Sequence, residues 1–124
     1  METQVDSLFS FQELKVWHKA IQFAEEVIRM VDNLKASRKH YRLIEQLESS
    51  STSVAMNIAE GKGRQTTKEF IQFLYIARGS LFETLTLLTV YQRMGWIEKE
   101  RTEKLFRLAE EIVKMINTLI KSMR

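Results

Sequence analysis

NIAEGKGRQTTKEFIQFLYIARGSLFE, residues Asn57 to Glu83, decides the fold of this chain, because it ends one helix, turns within a few residues and begins a second. Gly61 follows an apolar-periodic segment, where a glycine in the left-handed conformation closes a helix. Gly63 then keeps the link short. Thr66 followed three residues later by Glu69 forms a capping box, so the next helix is expected to start near Thr67. From Phe70 to Tyr91 the only charged side chains are Arg78 and Glu83, and the apolar ones point in nearly every direction. A helix of that kind is covered on more than one side.

Three further helices follow from apolar spacing. In the first, Leu14, Trp17, Ile21, Ala24, Ile28 and Val31 recur three and four apart, with Ser10 and Glu13 offering a capping box in front. In the second, Ile44, Leu47, Ser51, Val54 and Ile58 keep that spacing, and the run SSSTS at Ser49 to Ser53 places small hydroxyls in the seam, where they permit close approach. The third, Thr67 to Met94, stops at Gly95, with Trp96 as the apolar contact of a Schellman end. The fourth, Glu98 to Met123, uses Leu105, Leu108, Ile112, Met115 and Leu119, widened by Phe106, Val113, Ile116 and Ile120. The longest connection is Asn33 to His40, and short connections make consecutive helices antiparallel. The expected fold is all-α, an up-down-up-down antiparallel four-helix bundle over residues 11–124 as a single domain, after a loose segment at residues 1–10.

Composition agrees. The 124 residues contain no proline, no cysteine and four glycines, which favours helix and excludes disulfides and cysteine metal sites. METQVDS carries acids and no apolar run, unlike a signal peptide. A membrane span at Phe70 to Tyr91 would bury Arg78 and Glu83 in lipid at ~2.5–3.5 kcal/mol each, so no membrane contact and a cytoplasmic location are expected. Di-iron bundles need Glu-x-x-His, which is absent, and His18 and His40 read as surface or rim residues. The Gly61, Lys62, Gly63 turn lacks P-loop spacing and a preceding strand, and the third helix is too apolar for a recognition helix. No nucleophile stands at a meaningful distance from a base. The chain is therefore read as non-enzymatic, with no cofactor and no metal.

Charge placement carries the remaining signal. Lys62, Arg64 and Lys68 surround the start of the third helix, where unpaired N–H groups and the positive dipole end favour a phosphate. Lys35, Arg38, Lys39, His40 and Arg42 form a second basic cluster at the opposite end of the bundle, with Tyr41 as its stacking aromatic. Both clusters fit RNA or DNA contact, and both also fit solvated loop charge. Arg78 and Glu83 lie ~140° apart around their helix, so each needs its own partner: Asn57, Glu60 or a neighbouring copy. Gly79 costs ~1 kcal/mol within a helix, which another backbone packed close would explain. Asn57, Glu60, Gly61, Gly63, Arg78, Gly79, Ser80 and Glu83 together read as a structural polar network.

At these residues the chain resembles a known family. FQELKVWHKA at 11–20, QL at 46–47, NIAEGKGR at 57–64 and KEFIQFLYIARGSLFE at 68–83 are similar to the bacterial four-helix-bundle proteins encoded in intervening sequences of 23S rRNA genes. That resemblance implies a homopentamer and a role in RNA binding, with distant similarity to the pentameric accessory proteins of diversity-generating retroelements, which bind nucleic acid and a reverse transcriptase. Two departures set this chain apart from it. Glu48 and Ser49 stand where many relatives carry paired arginines, so RNA binding through that face does not carry over, and Ala55 replaces a common proline, which leaves the second helix straighter. The resulting expectation is a self-associating scaffold or nucleic-acid-binding protein; the alternative is a protein-binding adaptor with no nucleic-acid contact.

Overall fold

The computed structural model describes residues 8–34 and 36–124, Arg38 through its backbone only. Four antiparallel helices follow one another: α1 Lys15–Val31, α2 Tyr41–Lys62, α3 Thr67–Arg93 and α4 Lys99–Met123. Short 3-10 turns at Ser10–Glu13 and Arg38–His40 precede α1 and α2. One core draws on all four helices, with Phe23 and Val27, Leu47 and Ile58, Leu74 and Leu88, Ile112 and Ile116 fully buried.

The ends of α3 follow local chemistry. Thr66 Oγ1 accepts the Glu69 N–H at 3.1 Å, and the Thr66 N–H donates back to Glu69 Oε1 at 3.3 Å. At the other end Gly95 takes φ +78°, and the Trp96 and Gly95 N–H groups donate to the Tyr91 and Gln92 carbonyls at 2.9 Å each. The Trp96 ring meets Tyr91 edge-on at 5.1 Å, the apolar contact that accompanies a Schellman end.

Four expectations are corrected. Gly61 does not close α2 in the left-handed region. It lies inside the helix, and a Cβ there would stand 2.5 Å from Phe73 Cβ and 3.3 Å from the Phe70 carbonyl, so its missing side chain is what lets α3 approach. The Ser10 and Glu13 capping box does not form; Gln12 Oε1 instead accepts the Phe9 N–H at 2.9 Å and closes a separate turn. The buried residues of α1 are Val16, Ala20, Phe23, Ala24, Val27 and Met30, so the seam is centred one residue before the expected phase and, of the expected residues, Ala24 alone is buried. Trp17 and Ile21 flank it, while Ile28 is 39% exposed. Both phases are apolar, and the small Ala20 at the centre lets a neighbouring helix sit close. On α4, Thr102, Ala109, Ile116 and Ile120 join Leu105 and Ile112 in the core, with Leu108, Met115 and Leu119 at its margin.

The serine-rich seam of α2 behaves as its composition implies. Buried Thr84 donates to Ser50 Oγ at 2.8 Å, and Ser53 and Ser80 hydroxyls meet at 2.9 Å, so small side chains bridge α2 and α3 where larger ones would hold them apart. By length and composition α3 matches a membrane span; here its hydroxyls bond to α2 and its buried face packs in the bundle. One buried group is left over. Among the described residues the Tyr91 hydroxyl has no partner, and burial, followed by the nearby Glu48 charge, pushes its pKa up to about 12.

Candidate nucleic-acid interface

The α2–α3 turn sets each of its three cations differently. α2 is capped by Gly63, whose N–H donates to the Ala59 carbonyl at 3.2 Å. Lys62, one residue earlier, lies with its ammonium 5.6 Å from the Phe70 ring. Arg64 bonds Glu60 at 2.8 Å and covers the Phe73 ring at 4.7 Å, a structural placement that uses up its charge locally. Lys68 is exposed on the first turn of α3. That turn already carries a negative group, because the capping-box carboxylate of Glu69 offsets the dipole end that would attract an anion.

The other cluster is only partly described. Lys35 lies outside the described residues, as does the Arg38 side chain. Lys39 is exposed; Arg42 Nε stands 3.5 Å from the Tyr41 hydroxyl, and His40 stacks on Trp96 at 4.7 Å. No group of three His, Cys, Asp or Glu side chains suited to a metal occurs among the described residues.

The polar network divides into separate pieces. Asn57 Nδ2 donates to the Ser53 carbonyl and hydroxyl at 2.8 Å each, which ties it to the Ser53–Ser80 bridge. Arg78 does not reach Asn57 or Glu60. It donates to Asn117 Oδ1 on α4 at 2.7 Å and lies over the Tyr75 ring at 4.8 Å. Glu83 accepts from Gln46 Nε2 at 3.4 Å. Among the described residues nothing comes within 4 Å of a Cβ at Gly79, so no close backbone there accounts for that glycine. It stands instead on an outward stripe of α3 with Ile76, Phe82, Thr86 and Val90, where Ile76 is 51% and Phe82 49% exposed.

A family model described as 23S rRNA-intervening sequence protein matches residues 12–118. The chain belongs to that family. Five chains of solved structures also match. One is the crystal structure of a protein of unknown function from the S23 ribosomal protein family of Bacteroides thetaiotaomicron VPI-5482; it is 29% identical, with 86% of this chain and 98% of that chain covered and a TM-score of 0.78. A search of the curated proteins finds no match.

In this member of the 23S rRNA-intervening sequence protein family, the antiparallel arrangement sorts charge in a way that the linear sequence conceals. Cutting each helix near its midpoint leaves residues 8–22, 52–79 and 112–124 at one end, with nine Lys and Arg against three Asp and Glu. The opposite end, residues 23–34, 36–51 and 80–111, carries nine against eleven. The α2–α3 turn thus sits at a basic pole shared with Lys15, Lys19, Lys114, Lys121 and Arg124, of which Lys19 pairs with Glu111 at 3.2 Å and Lys114 approaches Glu110 at 3.9 Å, both acids lying just across the cut, and Arg124 bonds the Tyr75 hydroxyl. Lys39 and Arg42 sit at the balanced end. None of the additional pole residues stands out by spacing; grouping charges by helix half, once the antiparallel order is known, finds them.

Proposed function

We propose that this chain is a non-enzymatic cytoplasmic scaffold that self-associates and binds nucleic acid through the basic end of its bundle. The observation that carries the reading is the polarity of charge: nine cationic against three acidic side chains at one end of a protein whose whole net charge is only +3. A concentrated positive field of this kind neutralises phosphates and releases their counterions. Lys62 and Lys68 are its central contacts, and the family description, which ties its members to a 23S rRNA context, agrees with an RNA partner. Self-association is supported by the outward stripe of α3, where exposed Ile76 and Phe82 flank Gly79, which no described residue of this chain crowds. A ring would repeat the basic end by symmetry and convert weak contacts into avidity; the number five comes from the family resemblance.

A second reading, a protein-binding adaptor, is favoured by the apolar groove between α3 and α4 lined by Phe82, Leu85, Phe106 and Val113. Fluorescence anisotropy with a labelled RNA oligonucleotide across a salt series separates the two. Binding that weakens steeply with salt supports the nucleic-acid reading; no binding at low salt leaves the adaptor. Sedimentation equilibrium tests assembly, and a monomer at micromolar concentration contradicts it.

A further inference from the structure

Beside the basic pole stands an aromatic surface that the charges do not explain. The turn before α1 presents Phe9 with 61% of its surface exposed. Its ring lies nearly parallel to Phe11, at 15° and 6.0 Å, and Phe11 in turn meets Trp17 edge-on at 5.1 Å. The turn is fixed from both sides: the Phe9 N–H is bonded to the Gln12 side chain, and the Gln12 carbonyl lies 2.6 Å from His18 Nε2, within hydrogen-bond reach. It packs on α1 and α2 at the end where α2 finishes at Lys62 and α1 begins at Lys15. A large aromatic ring thus stands exposed on a hydrogen-bonded turn at the same end of the bundle as Lys15 and Lys62, although an unconstrained turn would gain by folding it away.

We propose that Phe9 is a base-stacking platform and that the nucleic acid taken by the basic pole is single-stranded. This rests on the nucleic-acid reading above and adds the form of the ligand. A duplex keeps its bases stacked on one another, so an exposed ring finds no face to cover; a single strand offers splayed bases to aromatic rings while its phosphates follow nearby lysines. An anionic membrane is the other surface that an apolar tip among cations fits. Against it, Ser10 and Glu13 in the same turn are exposed, and Glu13 sets an acid where lipid headgroups would lie.

The test uses the full chain with a labelled pyrimidine-rich RNA, the same sequence as a duplex, and vesicles of phosphatidylcholine with phosphatidylserine. The single strand is expected to bind more tightly than the duplex. Phe9→Ala lowers its affinity about tenfold without changing the slope of log K against log salt, because stacking releases no counterions, and Phe9→Tyr retains binding. Lys62→Ala with Lys68→Ala lowers that slope by about 0.7 per lysine, while Lys39→Ala with Arg42→Ala leaves it unchanged. Equal or tighter duplex binding, or an unchanged Phe9→Ala variant, overturns the stacking proposal and leaves general nucleic-acid binding standing. Failure of the parent protein to bind either form at low salt removes the underlying reading instead. Phe9-dependent vesicle binding without RNA binding replaces both with a membrane surface.

Discussion

Replacing Gly61 with alanine adds one methyl group at the tightest point between α2 and α3. That carbon would stand 2.5 Å from Phe73 Cβ and 3.0 Å from Phe70 Cδ1, with the Phe70 carbonyl at 3.3 Å. Carbon atoms rest at ~3.5–4.0 Å, so the helices must part by about 1 Å. Because Phe73 Cβ and the Phe70 carbonyl sit at or next to the backbone, no rotamer change relieves the contact. At a Cβ–Cβ contact of 2.5 Å overpacking costs ~2–3 kcal/mol, the upper part of its usual range, and the helix propensity of alanine over glycine returns ~1 kcal/mol. The expected net loss is ~1–2 kcal/mol. With an unfolding entropy of ~2.1 cal/mol/K per residue, a chain of 124 residues loses about 4 °C in Tm for each kcal/mol. Thermal melts followed by circular dichroism, at the same protein concentration for both proteins because assembly shifts Tm, should place Gly61→Ala ~4–8 °C below the parent. A variant as stable as the parent, or more so, refutes the close-contact account of Gly61.

Tyr91→Phe removes a buried hydroxyl that has no partner among the described residues, so its urea midpoint at pH 7 should equal or exceed the parent's, by up to ~1 kcal/mol. Since the folded phenol titrates at about 12 against 10.0 when free, the stability it contributes is complete below pH 10 and is lost as pH rises through 12. Midpoints at pH 9 and 11 should therefore fall less for Tyr91→Phe than for the parent. Arg64→Ala should cost ~0.5 kcal/mol through its exposed bond to Glu60 and its stacking on Phe73, and should leave the salt slope of RNA binding unchanged; a flattened slope would make Arg64 a phosphate contact. Gly79→Leu should fold normally, because no described residue crowds that position, yet shift sedimentation equilibrium toward monomer. Assembly unchanged by the leucine would remove the Gly79 face from the interface.

Part of what depends on neighbours in sequence was legible in advance, although the Ser10–Glu13 capping box, read in the same way, does not form. Thr66 with Glu69 and Gly95 with Trp96 mark the limits of α3 because capping groups act across three to five residues, and the apolar spacing of α2 has only one strong phase. The phase of α1 was not legible, since Val16, Ala20, Phe23 and Val27 make as good a stripe as Trp17, Ile21, Ala24 and Ile28, and only the positions of other helices choose between them. Gly61 carries the right residue for a helix end and for a close crossing; Phe70 and Phe73 decide for the crossing. Arg78 could not be paired with Asn117, 39 residues away, without α4 in place. At the candidate site, the lysines of the α2–α3 turn were visible as a local cluster. The basic pole and the exposed Phe9 ring became visible only when the start of α1 and the end of α4 were brought to the same end.

The hydroxyl bridges between α2 and α3 also fix where the bundle yields. Thr84–Ser50 and Ser80–Ser53 bond in only one register, since sliding either helix by a turn would break both bridges and leave the buried Ser50 and Thr84 hydroxyls only the Leu47 and Ser80 carbonyls of their own helices. The pair α2–α3 is thereby a latch with discrete positions, while α1 and α4 meet their neighbours mainly through aliphatic surfaces that tolerate small shifts. Slow opening motions should accordingly begin at α1 and α4, with the amide protons of α2 and α3 the last to exchange with solvent.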